Sequence, residues 1–380
     1  MHRTGSSDIE VTVVASGRDQ RAFLKFEKDL YAGNDHWVNP LWGERRRLVG
    51  FGRHPFYDDA DSRAFLARRD GKVVGRIVAI VNHAHLRRYD DGVGFVGFFE
   101  SIEDAEVARS LFAAAESYLA DQGIRSVRGP ANPSLNYEVG NLVEGFDKDP
   151  TFLIPYNHPY YESLWTACGY QKVQDLLSFE AHIELLARLD PKMKFVVEES
   201  AKRFGCTTRP ISRRHFTRDV RTFLHIYNES LQQTWGYVPM SEAEVDDQAK
   251  ALKWLLVPEM TSIAEIDGKP VGAGFGLLNY NVPIKRIGGR LFPFGWWTLL
   301  RSRRGIQRLR IVSANVLPEY QRWGLGLVTL ARVVPDAVER GVTEAEFSWV
   351  LESNSLSKNT IERGGAELCR RHRMYEKAIK

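Results

Sequence analysis

The 380-residue chain is predicted to fold as two tandem α/β domains of one design, each a mixed sheet with helices on both faces. Three observations carry this expectation. The length accommodates about two domains at roughly 150 residues each. A segment recurs: 67–74 reads ARRDGKVV ahead of Gly75, and 264–271 reads AEIDGKPV ahead of Gly272, an offset of 197 residues. After each copy the same order follows, a strand, a helix closed by a glycine, then another strand.

The first copy opens with a β-rich run at 63–69 (RAFLARR), an Asp70-Gly71 pair suited to a type I′ turn, and a second run at 72–81 (KVVGRIVAIV). GFVGFF at 94–99 reads as the next strand. A helix over about 103–122 follows, with Val107, Leu111, Ala114 and Tyr118 on one face and Gly123 at its end, and IRSVRG at 124–129 is again a strand. The segment 129–161 is long and irregular, which in a compact domain marks a functional loop. A charged helical connector around 185–194 divides the chain into domains at 8–185 and 194–380, with 186–193 as the link.

The second copy begins with helices. Val220, Phe223, Leu224, Tyr227 and Leu231 form one apolar face, and Ser241 with Glu244 forms a capping box for a further helix ending before Pro258. The hairpin TSIAEI, Asp267-Gly268, KPVGAGFGLL comes next, then the strand LRIVSANVL at 309–317, a helix over about 325–340, Gly341, and the strand EAEFSWVL at 344–351. Gly123 and Gly341 lie 218 residues apart, so this copy has gained about 21 residues, placed at about 283–305. Pro335 is a misfit in its helix and is expected to kink it.

Composition narrows the function classes. With 43% hydrophobic and 26% charged residues the chain is globular, and a net charge of +4 is too small an excess for wholesale nucleic-acid binding. The three cysteines, Cys168, Cys206 and Cys369, form no CxxC pair, so neither a disulfide framework nor a metal site is expected. The N-terminus lacks the apolar core of a signal peptide, and the longest nearly apolar stretch is half a membrane span. A cytoplasmic protein, active at the inner face of the membrane, is expected.

The segment PEYQRWGLG at 318–326 joins a strand to a helix. Its glycines let the backbone turn tightly enough to aim successive N–H groups outward at a helix N-terminus, where the helix dipole favours an anion such as a pyrophosphate. The alternative is a glycine-rich turn that merely starts a helix. The first copy has Glu100, Ser101 and Ile102 here, with no glycine, and is expected to hold no cofactor. The order of elements, with Gln321, Arg322, Gly324 and Gly326 fitting Q/R-x-x-G-x-G, resembles the GNAT acyl-CoA N-acyltransferase superfamily over most of 200–380 and more weakly over the first half. The resemblance implies acyl-CoA as co-substrate, with Val316 and Leu317 on its pantetheine arm. It places Gln321, Arg322, Trp323, Gly324, Leu325, Gly326 and Leu327 around the pyrophosphate, and Asn354 beside the cofactor.

Attack on a thioester needs a neutral amine, whereas an alkyl ammonium with a pKa around 10 is mostly protonated at neutral pH, so a base is required. Glu352 at the end of FSWVLE is the first candidate, Glu319 the second and Glu100 the third, each weighed against a solvated surface carboxylate. Many GNAT relatives supply a tyrosine to protonate the departing thiolate. Here Ile361 stands at the matching place; Tyr375 is either a substitute or a packed strand residue.

The insertion contains GGRLFPFGWWTLLRSRRG, in which Phe292, Phe294, Trp296 and Trp297 are bracketed by Arg290, Arg301, Arg303 and Arg304. Aromatics beside arginines suit the headgroup boundary of an anionic membrane; an insertion folded back as core or as a partner interface is the alternative. In the long segment Asn132, Asn136, Tyr137, Tyr156 and Tyr160 are expected to bind a polar substrate head or to form a self-bonded scaffold, and Trp235 and Tyr237 in TWGYVP to cover the acceptor or to lie in the core. Taken with GFFE, NHPYY and YQRWGLG, these features resemble the two-domain GNAT-like proteins that include the bacterial ceramide synthases. That implies acyl transfer to a lipophilic primary amine, a sphingoid base. An acetyltransferase of a small soluble amine, a Fem-like aminoacyl transferase, and a non-catalytic acyl-CoA-binding scaffold remain open alternatives.

Overall fold

The computed structural model describes residues 8–187 and 190–380. Arg188 and Leu189 of the expected connector, and the opening stretch 1–7, lie outside the described residues. The chain divides into two compact units. The first is the described part of Met1–Asp175 together with Gly288–Arg290 and His372–Lys380; the second is Leu176–Ile287 with Leu291–Arg371.

In chain order the elements begin β1 (Glu10–Val13), α1 (Gly17–Leu30), α2 (Trp42–Leu48), β2 (Ala60–Arg69), β3 (Lys72–Asn82), α3 (His83–Tyr89), β4 (Val93–Ser101) and α4 (Ala105–Asp121). There follow β5 (Ser126–Gly129), β6 (Ala131–Asn132), β7 (Glu138–Val139), β8 (Asn141–Glu144), α5 (Tyr161–Ala167), β9 (Gln171–His182), α6 (Ile183–Ala187), α7 (Pro191–Arg203) and β10 (Thr207–Arg209). The rest are α8 (Phe216–Ser230), α9 (Glu242–Leu255), β11 (Thr261–Ile266), β12 (Lys269–Leu278), α10 (Asn281–Arg286), α11 (Gly295–Ser302), β13 (Arg308–Val316), α12 (Leu325–Glu339), β14 (Glu344–Leu351), α13 (Ser355–Arg363) and β15 (Glu367–Ala378).

The first unit's sheet runs β1-β2-β3-β4-β5 and then the end of β15; the second unit's runs β10-β11-β12-β13-β14 and then the end of β9. In each, one neighbouring pair is parallel, β4 with β5 and β13 with β14, and the others are antiparallel. The repeated hairpins meet the turn expectation, because Asp70 and Gly71, like Asp267 and Gly268, both adopt positive φ as a type I′ turn requires. Gly75 and Gly272 do the same packing job in both units. A Cβ at Gly75 would press on Val107 and Leu111 of α4, and one at Gly272 would touch Thr329 of α12, so these strands bring a helix close.

On the first unit's sheet α4 buries Val107, Leu111, Phe112 and Ala115 in a core with Ala67, Ile77 and Val96. The opposite face takes α1, where Arg76 of β3 lies against Phe23. In the second unit α12 occupies the Gly272 face, and α8 takes the other, with Phe223 against Phe275. Pro335 lies inside α12 without ending it, and Ser241 and Glu244 complete the capping box of α9.

Candidate active site

The second unit's sheet opens along its parallel pair. Rungs join Arg308 to Glu344, Leu309 to Ala345, Arg310 to Glu346 and Ile311 to Phe347, and there the β13–β14 ladder stops although both strands continue. A bulge lies at the same level: Phe275 pairs with Ser313 and Gly276 with Ile311, leaving Val312 as an extra residue that bends β13. The β14-facing edge beyond Ile311 is therefore free to pair with an extended polar arm. Of the two residues expected there, Val316 gives its carbonyl to the Gln321 side chain, and the Leu317 N–H is bonded to the Val271 carbonyl on the other edge.

The strand leads through a 3-10 turn at Pro318–Trp323 into α12. Gly324, with φ of 74°, is the N-cap, and no side chain caps this helix. The Leu325 and Gly326 amides at the start of α12 are thus left for an anion, in keeping with their orientation along the helix dipole. Gly326 sits in the first turn over Ala314 and Val316 with room for a methyl, Leu325 is buried in the core beneath, and Leu327 donates back to Gly324. Gln321 Nε2 also donates to Ser230 at the end of α8, which fixes the turn. Arg322 is exposed, and Trp323 is stacked under Arg203 of α7, 4.3 Å from guanidinium to ring centre. Asn354 caps α13, its Oδ1 accepting from Ser357 N.

The two faces of β13 are different. Val316 and Ala314 lie opposite Gly272 and Gly274 and share the α12 face; Asn315 and Ser313 lie opposite Ala273 and Phe275 and share the α8 face. On that face stand Tyr227, whose phenol burial pushes up to about 12 against the pull of Arg310, and Arg310, which donates to both oxygens of Ser348 and lies over the Trp349 ring. Ser313 Oγ, Asn315 Nδ2 and Trp349 Nε1 are buried there without a hydrogen-bond partner. Tyr237 is buried beside them, edge-on to Tyr227, donating to Asn228, and Trp235 is half-buried in the same connection. The sequence reading missed Arg310, Ser313, Asn315 and Trp349; the one signal was polar residues alternating inside an otherwise apolar strand. Of the carboxylates, Glu352 is half-buried just past β14, and Glu319 is exposed in the turn before Gly324.

The first unit repeats this architecture and closes it. Beyond Phe95 and Arg128 the β4–β5 ladder also stops, but β6 enters the opening: Asn132 Oδ1 accepts from Phe98 N, and a methyl at Gly97 would overlap the Ala131 carbonyl. The helix start is closed too, because Asp104 caps α4 by accepting from Glu106 N and Val107 N and pairs with Arg69. Glu100 is buried, accepting from Tyr31 and Tyr161 at 2.9 and 2.5 Å. Arg76 stands 3.6 Å from it but is committed to Glu27 at 2.8 Å, and Glu27 is also held by Arg45. Burial tends to raise Glu27, but the two arginines outweigh it and hold its pKa low. At Glu100 burial outweighs Arg76, and the negative charge of Glu27 adds to it, so the carboxyl is pushed up to about 7.

The long segment's polar groups are tied within the first unit. Asn136 N donates to Ser134, Tyr137 packs edge-on to His54 and Phe56, Tyr156 donates to Phe146 O, and Tyr160 donates to Ser101 O. The insertion forms α10 and α11 and leaves Phe292 83%, Phe294 76%, Trp296 45% and Trp297 55% exposed. Only Leu299 of α11 is buried. None of the described helices is long and apolar enough to cross a membrane, and among the described residues no group of His, Cys, Asp and Glu is placed to hold a metal ion.

A bulged strand splayed from its parallel neighbour, leading into a helix whose N-terminus no side chain caps, is the framework of a GNAT-type acyltransferase. The solved structures agree on the fold: a tandem GNAT protein from the clavulanic acid biosynthesis pathway aligns over 98% of both chains with a TM-score of 0.56 at 11% identity. A GCN5-related N-acetyltransferase from Sphaerobacter thermophilus aligns over 98% of this chain and 96% of its own, with a TM-score of 0.54 at 15% identity. No family model matches the chain. Protein YghO of Escherichia coli is 35% identical over 95% of this chain and 93% of its own, and the bacterial ceramide synthase of Caulobacter vibrioides is 30% identical over 98% of each. The chain belongs to the family of these two proteins and is an N-acyltransferase of tandem GNAT fold.

Proposed function

We propose that this chain transfers an acyl group from acyl-CoA to the primary amine of a sphingoid base, forming a ceramide-type amide at a membrane surface. The observation that carries the reading is the open side of β13 beside the uncapped start of α12. Bound there, the cofactor supplies a thioester carbonyl. The amides around Leu325 and Gly326 hold its pyrophosphate, and the β14-facing edge of β13 beyond Ile311, ahead of Val316 and Leu317, aligns its pantetheine arm. The nitrogen forms a bond to the carbonyl carbon, the carbon–sulfur bond breaks, and the nitrogen's proton passes to Glu352, or through water to Glu319. The thiolate, whose conjugate acid has a pKa near 8.5, leaves without a dedicated acid and ends as free CoA.

Two observations support a lipid acceptor. The relative from Caulobacter vibrioides bears the name ceramide synthase, and the exposed rings of Phe292, Phe294, Trp296 and Trp297 are followed in the sequence by the exposed Arg301 and Arg304, as an anionic leaflet boundary favours, whereas Arg303 donates inward to Tyr280 and Leu256. The test is release of free CoA from long-chain acyl-CoA by the purified chain on anionic vesicles. Release that depends on added sphingoid base, with the amide recovered by mass spectrometry, is the expected result. Release with acetyl-CoA and small polar amines alone would overturn the lipid reading, and tight acyl-CoA binding without turnover on any amine would overturn the enzymatic one.

A further inference from the structure

The two units provide an internal comparison at one strand position. Because Gly75 pairs with Ser101 and Gly272 with Val316, Arg76–Glu100 in the first unit occupy the places of Ala273–Asn315 in the second. In the first unit the place is filled by the chain's own charged groups: Glu100 accepts from two tyrosines and Arg76 pairs with Glu27, with only the Arg76 Nε left over. In the second unit the large charged side chain has become Ala273, and Asn315, nine-tenths buried, has a donor without a partner. Ser313 Oγ, two residues along on the same face, and Trp349 Nε1 next to Arg310 are in the same state. Buried polar atoms in folded proteins are nearly always paired, so a cluster of unmet donors on one face calls for oxygen acceptors from outside the chain.

The direction in which they point selects the ligand. The first turn of α12, where a cofactor's phosphates would be held, lies over Ala314 and Val316; Asn315 and Ser313 face the other way, towards α8 and Tyr227. We infer that Asn315 and Ser313 are the specificity-determining residues for the acyl acceptor, hydrogen-bonding a hydroxyl oxygen carried on the carbon beside the attacking nitrogen. The inference rests on the acyltransferase reading and deepens it: the acceptor is a vicinal amino alcohol, entering from the α8 face, and a plain alkylamine of equal length leaves the donors unmet. A site built around such donors discriminates against the ligand that lacks the matching oxygen.

The test compares the parent, Asn315→Ala and Ser313→Ala on two acceptors of equal chain length, a long-chain 1,2-amino alcohol and the corresponding 1-alkylamine. Initial rates are read as amine-dependent CoA release, with circular dichroism and thermal unfolding to establish that each variant is folded. The parent should favour the amino alcohol by at least about tenfold in kcat/KM. Asn315→Ala should collapse most of that ratio through the amino alcohol alone, leaving the alkylamine rate within about twofold, and Ser313→Ala should do so in part. Equal loss on both acceptors would assign Asn315 to the thioester carbonyl or to the scaffold and overturn the inference, as would an unchanged ratio. No turnover by the parent on either amine would instead overturn the acyltransferase reading, so the two failures are distinct.

Discussion

Glu100→Gln offers a quantitative test of the closed site in the first unit. Folding moves this carboxyl from an ordinary 4.5 to about 7, so between those values the folded chain holds a proton that the unfolded chain has released. Stability therefore falls as pH rises: the contribution is fully present below about 4.5 and is lost as pH passes through about 7. The shift of roughly 2.5 units corresponds to about 3 kcal/mol at most, of which about 2–3 kcal/mol develops between pH 5 and pH 8. Glutamine keeps a carbonyl oxygen that can accept from Tyr31 and Tyr161 but carries no charge to desolvate. Chemical unfolding followed by tryptophan fluorescence should thus show the variant close to the parent at pH 5 and about 2–3 kcal/mol more stable at pH 8. A difference that does not change with pH would show that the two tyrosine donors and Arg76 keep the carboxylate ionised throughout, and the argument that burial outweighs them would fail.

Gly326→Glu should abolish CoA binding in calorimetry, because it sets a carboxylate at the helix start proposed to hold the phosphates; unchanged affinity would refute the assigned loop. Gly324→Ala should lower stability by about 1–2 kcal/mol, since φ is 74° and the new methyl would come within 2.6 Å of Val196 and 2.9 Å of Ser200; an unaltered unfolding midpoint would contradict this packing. Replacing Trp296 and Trp297 together by Ser removes about 1 kcal/mol of apolar transfer per half-exposed ring, so partitioning onto anionic vesicles should weaken by about thirtyfold, and equal partitioning would remove the membrane argument. Titration of the parent with CoA should saturate at one molecule per chain; two would mean that Asp104 and β6 do not close the first unit's site.

Much of this architecture is legible in the sequence because it is written in short-range signals. Asp-Gly pairs between β-rich runs locate both hairpins, and Ser241 with Glu244 locates the start of α9. Glycines before α12 and their lack before α4 separate the two helix starts, although the sequence did not show that Asp104 itself fills the first one. What stays hidden depends on partners distant in the chain. That β6 would enter beside a strand 34 residues earlier, or that Tyr375 would pair with Gly129, follows from tertiary packing alone. Arg76 within KVVGRIVAIV was a usable sign, since a charge inside an apolar strand requires a buried partner. The partners, Glu27 and Glu100, were not identifiable, and Asn315 looks like any polar strand residue until the positions around it are known to offer it nothing.

The duplication explains how one chain can keep both a satisfied and an unsatisfied version of the same bulged strand. Both units place an extra residue at the bend and both lose the parallel ladder just beyond it, so the opening is a property of the strand design. In the first unit the opening is largely answered from within: β6 enters the gap, Asp104 takes the helix amides, and Tyr31 and Tyr161 donate to the buried Glu100. That arrangement fills the place where the second unit is open. In the second unit the answers are withheld at Gly324, Asn315 and Ser313, and unmet groups of this kind cost stability. Beside a copy of itself closed largely by its own groups, the unmet donors of the second unit mark where the proposed acyl-CoA and acceptor would supply the missing partners, and their number and polarity describe what the proposal requires to arrive.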